Sequence, residues 1–183
     1  MRTTLVAVLV LAMPLTCPAD PLHAVGDDGT YRHEDSGWLF LTRIAAFERT
    51  GTPYTIDGNA DAGAHYISRD SATGLVVVDV FARESFAGDA TLAGAKQSAQ
   101  TAAGGQSSAQ AEEILQLATG IQFVKITYRS ADKAPVCLYF AEKKPWTVKI
   151  LATGVDSDAA VDSFVRALPW GTLGSDTRDL HGG

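Results

Sequence analysis

The sequence predicts an α+β fold, an antiparallel β-sheet packed against helices. Three observations predict it. Runs of bulky and β-branched residues, LVVVDVF at 75–81, IQFVKITYR at 121–129 and WTVKILATG at 146–154, are separated by short polar links. DSDAAVDSFVRALPWG at 156–171 repeats apolar residues at helical spacing. The order along the chain is strand-rich, then helix, then three strands, then helix, which suits a sheet covered by helices.

The elements follow in order. MRTTLVAVLVLAMPL sets Arg2 before an uncharged run, Thr4 to Leu15, too short for the roughly 20 apolar residues that span a bilayer. Small residues come next, the pattern of a secretory signal peptide over residues 1–24. Cleavage after Ala24 (Leu22-His23-Ala24) is the first expectation, and cleavage after Ala19 (Cys17-Pro18-Ala19) the second. Lipidation at Cys17 is disfavoured, because Pro14-Leu15-Thr16 lacks the small residues of such a signal. The mature part, 25–183, is the size of one domain, expected in the periplasm or secreted.

VGDDGTYRHED at 25–35 reads as a polar lead-in. GWLFLTRIAAF at 37–47 reads as a strand and a short helical turn, and PYTIDGNADAG at 53–63 as turn chemistry. AHYISR at 64–69 and the 75–81 run form a hairpin across Arg69–Gly74. The segment 83–118 is rich in alanine, glutamine and glycine and favours helix by propensity. Gly104-Gly105 divides it. Its second half predicts a helix capped by Ser107 or Ser108, with Gln110 closing a capping box and Ala111, Ile114, Leu115 and Ala118 on one face. Three strands over 121–154 form a meander. The last helix starts at Asp156 or Ser157 and buries Val161, Phe164, Val165 and Leu168, with Pro169 ending it.

The formal net charge of −6 argues against nucleic acid and anionic membrane surfaces as partners. No later segment is apolar enough to cross a membrane. Cys137 is the one cysteine left after processing and cannot bridge within its own chain. Inside the strand VCLYF it has no helix dipole to activate it, so it reads as packing. His33 and His65 fit no zinc spacing. Asp57, Asn59 and Asp61 hold positions one, three and five of a calcium loop, but Ala62 and Ser68 replace its glycine and its bidentate glutamate. Glu112 and Glu113 read as part of the amphipathic helix. Asp79, interrupting an apolar run, predicts an edge position or a lysine or arginine partner on a neighbouring strand. GAKQS at 94–98 is a partial echo of a phosphate loop. Lys143, Lys144 and Lys149 read as a solubilising cluster at a hairpin. No catalytic, cofactor-binding or metal-binding residue, and no cofactor, is expected.

GWLFLTRIAAFERTG, DAGAHYI, VVVDVF and the closing PWTVKILATG and AAVDSFVRALPW resemble a group of uncharacterised exported bacterial domains. Leu41 stands where that group has proline, Val80-Phe81 replaces its second aromatic pair, and Leu151 stands where arginine is common. The resemblance implies a PsbP/Mog1-like α/β/α sandwich that binds other proteins. The expected function is therefore an exported protein-binding or envelope-associated module without catalytic activity, with a protein partner in the cell envelope. The alternatives are a hydrolase-like enzyme using scattered residues around His65, Asp61 and Cys137, and a homodimeric structural protein of the envelope paired through 83–118.

Overall fold

The computed structural model describes residues 20–56, 61–69, 74–82, 88–105, 109–130, 133–155 and 157–174. The strands in order are β1 (Leu22–Val25), β2 (Thr30–His33), β3 (Leu39–Phe40), β4 (Arg43–Ile44), β5 (Phe47–Ile56), β6 (Asp61–Ser68) and β7 (Leu75–Ala82). Helix α1 (Leu92–Ala102) follows a 3₁₀ turn at Gly88–Ala90. Then come β8 (Ala109–Gln116), β9 (Gln122–Ser130), β10 (Lys133–Lys143), β11 (Trp146–Thr153) and helix α2 (Asp158–Ala167).

Eight strands form one antiparallel sheet in the order β4-β5-β6-β7-β11-β10-β9-β8, and β1-β2-β3 form a small second sheet. The β6–β7 hairpin and the β9–β10–β11 meander are the expected neighbours. Valine at 76, 77, 78 and 80 stiffens β7 in the extended state, and β7 takes a central place. Helix α2 is capped by Ser157, whose hydroxyl accepts the Ala160 N–H, and it buries Val161, Phe164 and Val165. Those side chains join Trp38, Phe40, Phe47, Tyr66 and Trp170 in the main core on one face of the sheet. On the other face Ala95, Ala99 and Ala103 of α1 and its C-cap lie on Ile126, Leu138 and Phe140.

The α/β/α sandwich is overturned. Among the described residues the chain is sheet-rich, with helices of 11 and 10 residues against eleven strands. The main reason is β8. Residues read as the face of a second long helix pair with β9 from Ala109↔Tyr128 to Gln116↔Gln122. Propensity favoured helix, but the ladder offered by β9 decides, since strand formation answers to context more than to intrinsic preference. In that extended backbone Ile114 and Leu115 point to opposite faces instead of sharing one. The proposed caps Ser107 and Ser108 lie outside the described residues.

Two further readings change. The expected lead-in contains strand β2, paired with β1 from Leu22↔His33 to Val25↔Thr30. The expected turn at 53–63 is largely strand, since β5 runs to Ile56 and β6 starts at Asp61. Of the expected leader, residues 1–19 lie outside the described residues, whereas Leu22–Ala24 belong to β1. Among the described residues no helix is long and apolar enough to cross a membrane.

Candidate functional site

Polar side chains meet first between β7 and β11. The register sets Lys149 opposite Asp79, and its Nζ lies 2.9 Å from Asp79 Oδ2 and 2.5 Å from Asp89 Oδ2. Asp89 comes from the 3₁₀ turn before α1, and Ser98 of α1 donates its hydroxyl to the same carboxylate at 2.8 Å. Tyr54 Oη donates to Asp79 Oδ1 at 2.8 Å. Gly63 makes this possible: a Cβ there would sit 2.4 Å from Asp79 Oδ1 and 2.6 Å from the Tyr54 ring. Gly94 plays the same part at the start of α1, where a Cβ would meet the Gly88 carbonyl at 1.9 Å.

Lys149 is thus not the solubilising lysine expected at the hairpin; its side chain is 7% exposed. Burial alone would lower its pKa, but the Asp79 and Asp89 carboxylates more than offset that and raise it. Burial and the neighbouring Asp79 push the Tyr54 phenol up as well, so it stays a donor. A nucleophilic or basic lysine needs the opposite shift. This cluster fastens the α1 lead-in to the sheet. The partner lysine expected for Asp79 is therefore Lys149.

The residues of the enzyme reading do not converge. Cys137 lies in β10 on the α2 face, 3% exposed. Its Sγ donates to Asp158 Oδ1 at 3.5 Å and lies 3.9 Å from Thr127 Oγ1. Burial first and the Asp158 charge next push the thiol up to about 11. His65 is on β6, cross-strand from Val77, exposed, with its ring edge-on to Tyr54 at 5.1 Å. Val77 in turn pairs with Leu151, whereas Cys137 pairs with Ala152. By strand alternation the imidazole and the thiol occupy opposite faces of the sheet. Asp61 shares the His65 face, but its Oδ1 accepts the Ala82 N–H at 2.7 Å. Asp57 and Asn59 lie outside the described residues. Among the described residues no three His, Cys, Asp or Glu side chains could hold a metal ion. His33 is buried, its Nδ1 2.8 Å from Ser36 Oγ. Lys96 of the GAKQS stretch lies on α1 and pairs with Glu112 at 2.9 Å.

The surface that remains is at the far edge of the large sheet. Strand β8 is last in the order and bonds to β9 on one side; among the described residues no strand pairs with its other side. Ile114 is 74% exposed. It stands beside a groove of about 260 Å³ lined by Leu92, Val124 and Phe140, with Gln122 and Glu142. Glu112 shares the Ile114 face, and Glu113 projects to the other face, exposed. The helical reading hid this edge. The signal that could have found it is the short link from Gln116 to Gln122 through Thr119-Gly120, a hairpin connection with Gly120 at φ 80°.

No protein-family model and no curated protein matches the chain. Among solved structures the chain is similar to the solution structure of cyanobacterial PsbP (CyanoP) from Synechocystis sp. PCC 6803. That similarity has a TM-score of 0.42 and 12% identity, and covers 80% of this chain and 89% of the cyanobacterial one.

Proposed function

We propose that this chain is an exported binding module without catalytic activity, and that it takes up an extended segment of a partner protein along the free edge of β8. The observation that carries the reading is that edge itself. A strand bonded on one side presents a row of backbone donors and acceptors, a ready template for one more strand. Ile114, exposed on that edge strand, would pack against every second side chain of such a segment. Glu113 on the opposite face, and the chain's net charge of −6, favour lysine or arginine at the positions between. A second copy of this chain fits less well. Antiparallel pairing of β8 with itself about its centre sets Glu112 and Glu113 against the same carboxylates of the copy, an unfavourable cross-strand arrangement.

The test is calorimetric titration of the purified protein with two peptides of equal length, one alternating valine with lysine and one alternating valine with glutamate. The lysine peptide is expected to bind, the glutamate peptide is not, and Ile114→Asp should abolish binding while leaving the fold intact by circular dichroism. Failure of the lysine peptide to bind, or equal binding by the Ile114→Asp variant, overturns the reading.

A further inference from the structure

Strand β1 bears on where an exported form of this chain would begin. We propose that maturation cuts between Ala19 and Asp20, not after Ala24; the inference rests on the export reading above. The reaction is hydrolysis by a signal-type peptidase. Water adds across the Ala19–Asp20 peptide bond, leaving a carboxyl group on Ala19 and a free α-amine on Asp20.

The folded domain uses the residues that a cut after Ala24 would discard. Leu22 is 7% exposed and belongs to the main core. The Asp20 carboxylate accepts the Leu22 N–H at 3.0 Å, and the Pro21 carbonyl accepts the Glu34 N–H at 2.8 Å. His23 Nδ1 lies 3.2 Å from Glu34 Oε2. Leu22, His23 and Ala24 each hold a partner in β2. The turn that joins the two strands has Gly26 at φ 77° and Gly29 at φ 75°, conformations that glycine adopts without strain. Removing Leu22–Ala24 would leave that turn closing on one residue, Val25, and would expose the outer edge of β2.

The sequence points the same way. Signal-type cleavage selects small side chains one and three residues before the bond. Cys17 and Ala19 meet that requirement better than Leu22 and Ala24, since leucine is the bulkiest of the four. Ala19 also lies close behind the apolar run that ends at Leu15.

The full chain, expressed in a Gram-negative host and recovered from the periplasm, should show Asp20 as its first residue by intact mass and amino-terminal sequencing. A first residue of Val25, or a lipid-modified Cys17, overturns the proposal while leaving export standing. Retention of Met1 on a cytoplasmic protein overturns the export reading beneath it. Two variants give a second readout, because a bulky side chain just before the bond blocks cleavage. Ala19→Phe should accumulate as precursor and Ala24→Phe, at an exposed strand position, should mature normally; the reverse pattern sinks the proposal. Purified forms starting at Asp20 and at Val25 should differ in melting temperature, the shorter being lower, and equal melting would remove the structural reason for the choice.

Discussion

Without the Lys149 ammonium, Asp79 would keep one hydroxyl donor, from Tyr54, while 6% exposed between two strands. A buried carboxylate in that state is costly, so Lys149→Met is expected to lose about 3–5 kcal/mol of stability. Adding Asp79→Asn should recover most of that loss, because the remaining amide carries no charge and can still accept from Tyr54. Denaturant unfolding of the two variants checks this, and a single-variant loss below about 1 kcal/mol would show that the pair is not desolvated. Cys137 gives a second test at this scale. With its thiol at about 11, roughly one molecule in a thousand carries thiolate at pH 8, and the sulfur is covered. A thiol-reactive dye should therefore label the folded protein far more slowly than the protein in denaturant. Rapid labelling of the folded form would place the sulfur in contact with solvent. Cys137→Ser should cost on the order of 1–2 kcal/mol.

At the scale of elements, β8 separates two readings of one stretch. A helix would bury Ile114 and Leu115 together; the strand exposes Ile114 and packs Leu115 against the main core. Ile114→Thr should then change stability by less than about 0.5 kcal/mol, whereas Leu115→Ala should cost clearly more, on the order of 1–2 kcal/mol. Comparable losses at both positions would restore the helix. What was legible in the sequence had local causes. The β-branched run of β7 and the alternation in β9 and β11 are written in side-chain shape, and α2 is written in its Ser157 cap and the Val161–Phe164–Val165 stripe. What was hidden had distant causes. Strand β8 is built from helix-favouring residues and owes its form to β9. Strands β1 and β2 are four residues each around a turn of glycine and aspartate, so their period is too short to read. Lys149 looks like any surface lysine until the register places Asp79 across from it. The candidate edge was missed with β8 itself, because an exposed isoleucine means something different on a helix and on the last strand of a sheet.

Among the described residues, each face of the large sheet carries an ion-pair system built on a buried lysine. On one face Lys125 Nζ pairs with Asp162 Oδ1 of α2 at 2.8 Å, and Tyr139 donates to the same oxygen; on the other Lys149 joins Asp79 and Asp89. Burial alone would raise the Asp162 carboxyl, but the Lys125 ammonium and the Tyr139 hydroxyl hold it below its ordinary 3.8. A depressed carboxyl stabilises the fold above its unfolded pKa, and that contribution is lost as pH falls through the lower folded value. The lysines run the other way. Burial lowers Lys125 and Lys149, their carboxylate partners raise both above 10.5, and the stability they contribute is full below that pH and lost as pH climbs through the raised values. Stability against pH should accordingly show a plateau from these groups between roughly 4 and 10, with a decline below it and another above it. Asp162→Asn should make the acid decline shallower by removing its carboxyl, and Lys149→Met should do so for the alkaline one, each measured as the slope of unfolding free energy against pH. Because slope counts protons taken up or released on unfolding, it separates these groups from any general loss of packing. An Asp162→Asn protein that is less stable at every pH but keeps the parent acid slope would mean that Asp162 holds α2 through contacts that do not depend on a shifted titration.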